Sequence, residues 1–207
     1  MRTKCTDFSI SHVDLCNGET IAVTRVAELA GADPAVLQFH TPCLTEPGWF
    51  HLGWEQIKFT AMLRNGGQLC PLCVAEDECR DPLYGPYQRD IWQVAAFRRC
   101  RKHGVVFERP QFGCRHSEVH DFLQILKAWL PAAIVHVGSD DTDLEDYLLQ
   151  RIWQGRGADW IDGQDFHVVW LFSEALGTLL TRDEAVRHCP GCHALVELIP
   201  LEASKAE

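Results

Sequence analysis

The chain has 207 residues, 46% hydrophobic and 23% charged, with a formal net charge of −10 and a sequence pI of about 5.4. That apolar content suffices for a packed core and excludes wholesale disorder. The acidic balance excludes a general electrostatic binder of nucleic acid, because neutralising phosphates needs a basic field.

The opening MRTKCTDFSI lacks the apolar run of a signal peptide, and no later stretch is long and apolar enough to cross a bilayer. A cytoplasmic location is expected. The ten cysteines are then expected as reduced thiols or metal ligands rather than as a disulfide framework.

Residues 19 to 30 (ETIAVTRVAELA) have helical period, and Gly31 fits the stop. Asp33 and Pro34 then look like the N-cap and first-turn proline of a second short helix, PAVLQFH. Helix, glycine turn and helix make the outline of a helix-turn-helix. The segment from Thr41 to Gly53, with Pro42, Pro47 and Gly48, is expected as a loop. WEQIKFTAMLR is expected as a third helix, ended by Asn65, Gly66 and Gly67.

A cysteine-rich stretch follows. CPLC at 70–73 and CRKH at 100–103 each leave two residues between candidate ligands, so one tight turn can offer two side chains to one ion. Cys70, Cys73, Cys100 and His103 together supply the four N/S ligands of a closed, structural zinc site. Four protein ligands leave no open position for water or substrate, which points away from an enzyme. Gly104 can take the positive φ that closes such a turn. IWQVAAF is expected as a strand, with VVFER as its hairpin partner, Trp92 in the core and Arg89 paired with Glu76 or Asp77. A redox CxxC would explain the first pair but not Cys100 and His103.

A second CxxC, Cys189 and Cys192, is a candidate for a further metal site with Cys114 and His116, against the plainer reading of an incomplete knuckle. Arg98, Arg99, Arg101 and Lys102 crowd the second knuckle and are the candidate nucleic-acid or partner contacts, against a solvated basic turn. The acidic run Asp140, Asp141, Asp143, Glu145 and Asp146 reads as the favourable negative end of a helix N-terminus.

Three more helices are expected. Residues 119 to 130 would bury Val119, Phe122, Leu123, Leu126, Trp129 and Leu130. Residues 143 to 153 would bury Leu144, Tyr147, Leu148 and Ile152. Residues 165 to 181 carry a stripe of Val168, Leu171, Phe172, Ala175, Leu176 and Leu179; Phe166, Trp170 and, from the preceding helix, Trp153 cannot all face inward with it and are expected as anchors for a partner. The fold class is thus mainly α with a small β-hairpin zinc-knuckle module. Its regions are 1–67 (helical, helix-turn-helix-like), 68–118 (zinc-binding), 119–182 (helical) and 183–207 (a tail with the orphan CxxC).

On CPLCVAED at 70–77, YQRDIWQ at 87–93 and CRKHG at 100–104 the chain resembles the TniQ family, the transposition proteins related to TnsD. RVAELAGADPAVL at 25–37, HDF at 120–122 and EDYLLQRIWQGRGADWIDG at 145–163 look like family sequence flanking that core. The resemblance implies a non-catalytic adaptor. Its partners would be an AAA+ regulator and a transposase, together with target DNA or an RNA-guided target complex, and a homodimer is expected. The other reading is a zinc-containing transcriptional regulator that binds DNA through residues 19–40.

Overall fold

The computed structural model describes residues 8–64, 66–83, 85–110, 121–129 and 143–180. Chain contacts divide it into two compact units, Met1–Gly157 and Ala158–Glu207.

The first unit begins with α1 (His12–Cys16), α2 (Thr20–Ala30) and α3 (Pro34–Phe39). Gly31 takes φ 65° to end α2, and the Asp33 side chain accepts from the Ala35 N–H to start α3, with Pro34 in its first turn. Both boundaries are where the sequence puts them.

The next stretch corrects the expected loop and third helix. Residues Cys43–Glu46 (β1), Trp49–Leu52 (β2) and Glu55–Lys58 (β3) form an antiparallel sheet in the order β1-β2-β3, and Phe59–Ala61 is a short 3-10 turn. Pro47–Gly48 and Gly53–Trp54 supply its two-residue hairpin turns, both with glycine at positive φ. Phe50, Leu52 and Ile57 are buried while His51, Gln56 and Lys58 face out, which is the period-two pattern of a half-buried strand. Burying each of these three apolar side chains contributes about 1.5–3 kcal/mol.

Pro71–Arg80 form α4, a helix the cysteine spacing alone does not announce. The expected strand IWQVAAF is a correction too. Asp90–Gln93 make a 3-10 turn, and only single bridges follow: Met62 with Val94, Leu69 with Glu108, and Arg99 with Val106. Gln68 explains the irregular backbone. It is buried and donates through Nε2 to the carbonyls of Val94 and Phe97, satisfying groups that a ladder would otherwise pair. Trp92 is fully buried, against Phe107 and Phe122, as the sequence suggests.

Phe122–Ala128 form α5, capped by Asp121. Of the expected inward face Phe122, Leu126 and Trp129 are part-buried, with Phe122 against Trp92, while Leu123 is half exposed and Ile125, not expected inward, is buried. Asp143–Gln154 form α6, and Leu148 and Ile152 point inward as expected.

Helix α6 is locked to the sheet. Glu55, on β3, is fully buried and accepts from Arg151 Nε at 2.7 Å and from Arg156 Nε and Nη2 at 3.0 and 2.8 Å. Beside it, the Trp54 N–H donates to the Ile152 carbonyl at 2.8 Å. A Cβ on Gly53 would lie 2.1 Å from that carbonyl oxygen, so only glycine lets the hairpin approach this closely.

The second unit contains α7 (Phe166–Leu180). Phe166 and Val169 are buried, and Val168, Leu171, Phe172, Leu176 and Leu179 are exposed. The expected inward stripe is therefore the outward one, and Trp170 is half-buried rather than an exposed anchor. Among the described residues no helix is long and apolar enough to cross a membrane.

Candidate metal centre

Cys70 is the N-cap of α4, and its Sγ accepts from the Cys73 N–H at 3.4 Å. Pro71 fits the first helical turn because its missing N–H would have no partner there. This local geometry brings the Cys70 and Cys73 sulfurs together at the N-terminal end of α4. The other two donors come from the tight turn Cys100–Gly104. The Gly104 N–H reaches the Cys100 carbonyl at 2.7 Å, the Cys100 N–H reaches the Val105 carbonyl at 2.8 Å, and Gly104 has φ 63°.

These two pieces bring together the four residues singled out in the sequence. One ligand atom from each of Cys70, Cys73, Cys100 and His103 lies within 4.8 Å of all the others. His103 Nδ1 is 3.4 Å from Cys70 Sγ, 3.4 Å from Cys73 Sγ and 3.5 Å from Cys100 Sγ, and Cys73 Sγ is 3.6 Å from Cys100 Sγ. A tetrahedral ion with M–S near 2.3 Å and M–N near 2.0 Å sets donors about 3.8 Å apart for S–S and about 3.6 Å for S–N. The observed spacing fits such an ion without rearrangement, and the three cysteines are buried.

The electrostatics argue the same way. The Cys70 thiol is pushed up, first by its hydrogen bond to Cys100 and then by burial, and burial pushes Cys73 up to about 11. Cys100 is pulled down to about 4, chiefly by the Cys70 hydrogen bond. Three sulfurs this close oppose one another's ionisation; a divalent cation would let all three ionise.

His103 is oriented from behind. Its Nε2 lies 3.0 Å from Glu76 Oε1, one helical turn beyond Cys73, so the ring presents Nδ1 to the sulfurs. Glu76 also holds Lys102, and those two partners, Lys102 first, bring its carboxyl down to about 2. On the buried side of α4, Asp77 pairs with Arg89 at 3.0 Å, and the Arg89 guanidinium sits 4.7 Å from both the Tyr87 and Trp92 rings. The expected Arg89 pairing is thus with Asp77.

Three of the basic side chains of the second knuckle, Arg99, Arg101 and Lys102, have acidic partners within the protein. Arg99 is buried 3.8 Å from Glu145, the Arg98 backbone N–H donates to Glu145, Arg101 meets Asp146 at 2.9 Å, and Lys102 meets Glu76. Glu145 and Asp146 stand in the first turn of α6, so part of the acidic run in the sequence serves as the counter-charge for this knuckle. Cys114, His116, Cys189 and Cys192 lie outside the described residues. Cys16 and Cys43 are part-buried free thiols and Cys79 is exposed. Sequence reasoning missed the His103–Glu76 contact, although a carboxylate three residues after Cys73 in a helical stretch was a usable signal.

The TniQ family model matches residues 4–107, which is 104 of the 207 residues and includes all four donors. No curated protein and no solved structure matches the chain.

Proposed function

The chain belongs to the TniQ family, and on that premise we propose that it serves transposition as a non-catalytic accessory protein built around one structural zinc ion. Cys70, Cys73, Cys100 and His103 would hold the ion, with Glu76 fixing the His103 ring. The ion would supply a cross-link between the start of α4 and the Cys100–Gly104 turn. The observation that carries this reading is the closed set of three sulfurs and one ring nitrogen inside the matched segment. Such a set leaves no ligand position for a reacting water.

In this proposal the protein is an adaptor. It links target recognition, by DNA or by an RNA-guided complex, to an AAA+ regulator and a transposase, and self-association belongs to the same proposal. Metal analysis of purified protein should give about one zinc per chain, and Cys70→Ser or Cys100→Ser should unfold the module, because metal-binding free energy is folding free energy there. Co-purification with an AAA+ regulator and a transposase from the same host tests the adaptor role. Failure of both partners to bind zinc-loaded protein would refute that role, and well-folded protein without zinc would refute the structural ion.

A further inference from the structure

Helix α2 packs against α1 and against α3, and Ile10, Leu15, Ala22 and Val26 form a small core between α2 and the segment around α1. Their outer surface is unusual for a soluble helix pair. Ile21 is 88% exposed, Val13 65%, Val36 57% and Leu29 47%. Four apolar residues this exposed, spread over three consecutive short helices, are candidates for an interaction surface.

The chemistry of the surroundings selects the occupant. Residues 8–40 hold four acids and one Lys or Arg. That single cation, Arg25, is 2.9 Å from Glu28. Asp14, Glu19 and Asp33 remain exposed around the apolar residues. The second helix of the pair also lacks the side chains that read base edges. It presents Ala35 and Val36, and its one amide, Gln38, donates to the Gly18 carbonyl at 3.1 Å. A duplex approaching these helices would meet more carboxylates than cations, a poor match for phosphate.

We propose that α1–α3, despite the helix-turn-helix outline, form a protein-docking face for a basic amphipathic helix. The partner lays its apolar side on Val13, Ile21, Leu29 and Val36 and sets lysines or arginines against Asp14, Glu19 and Asp33. This goes beyond the transposition reading and stands without it.

The test uses the full zinc-loaded chain and a fluorescein-labelled 18-residue Leu/Lys amphipathic peptide, followed by anisotropy at physiological salt. A control peptide of equal charge has its leucines replaced by glutamine. The Leu/Lys peptide should bind at least about tenfold more tightly than the control. The triple change Val13→Ser, Ile21→Ser, Val36→Ser should weaken it at least about tenfold, and so should Asp14→Asn, Glu19→Gln, Asp33→Asn, which keeps the α3 cap. Glu46→Gln with Glu78→Gln, exposed acids elsewhere, should leave binding unchanged. Hydrogen exchange on the unsubstituted chain removes dependence on variant folding: the peptide should protect residues 12–36. Protection confined to other segments, or binding untouched by both triple changes, overturns the proposal. So does a 20-base-pair duplex whose binding is lost with the same changes.

Discussion

Replacing Glu55 with Gln should cost the first unit about 3–5 kcal/mol, the range for breaking a buried ion pair from one side. The carboxylate is fully buried and accepts from two guanidinium groups through three hydrogen bonds. Glutamine has nearly the same shape and keeps one acceptor oxygen, but its amide nitrogen faces donors, and the counter-charge is gone. Arg156, whose side chain is 34% exposed, can turn toward water; Arg151, at 1%, cannot. The loss is therefore dominated by one uncompensated buried charge. At about 2–4 °C per kcal/mol for a chain of this size, the melting temperature should fall by about 6–20 °C. Thermal and urea unfolding of zinc-loaded protein, followed by circular dichroism, would measure it. The double change Glu55→Met, Arg151→Met should recover much of the loss, because it removes the orphaned charge as well. A single-variant loss below about 1 kcal/mol, or a double variant no better than the single, would refute the reasoning.

The cluster pKa pattern makes a second prediction. Burial and the neighbouring sulfurs oppose ionising Cys70 and Cys73, whereas zinc takes them as thiolates, so loading the metal should release protons and affinity should be lost as pH falls. Calorimetry in buffers of different ionisation enthalpy reads the release; zinc binding that is independent of pH and buffer would refute thiolate ligation. Glu76→Gln should lower zinc affinity about 10- to 100-fold, because the His103 ring loses its carboxylate partner; competition with a chromophoric chelator would show no change if the contact is incidental. Gly53→Ala should destabilise by more than about 2 kcal/mol, from positive-φ strain together with the contact on the Ile152 carbonyl. A melting temperature equal to that of the unsubstituted chain would show that the hairpin does not sit against α6.

What the sequence discloses divides along physical lines. The metal donors are legible because two-residue gaps are a local requirement of tight turns, and the 20–39 helix pair is legible because Gly31, Asp33 and Pro34 punctuate it. The sheet at 43–58 is hidden by its own ion pair. In β3 the inward positions are Glu55 and Ile57, so the alternation expected of a strand has a carboxylate where an apolar residue should be. The compensation comes from Arg151, 96 residues away in sequence, which no local window contains. The faces of α5 and α7 fail for another reason: α7 is apolar nearly all round, so periodicity does not say which side is covered. The burial of Arg99 beside Glu145 and the pairing of Arg101 with Asp146 join segments far apart in sequence, so no local window discloses them.

Arg156 stands two residues before Ala158, where the second compact unit begins, with Gly155 and Gly157 on either side of it. Glycine on both flanks leaves the backbone there with few steric restrictions, whereas the side chain between them is gripped by two parallel hydrogen bonds to Glu55. A pull transmitted along the backbone from beyond Gly157 is thus taken first by that grip, and passes into β3 before it can unwind α6. The ion pair works as a strain relief, like the clamp that keeps tension on a cable from reaching the joint it feeds.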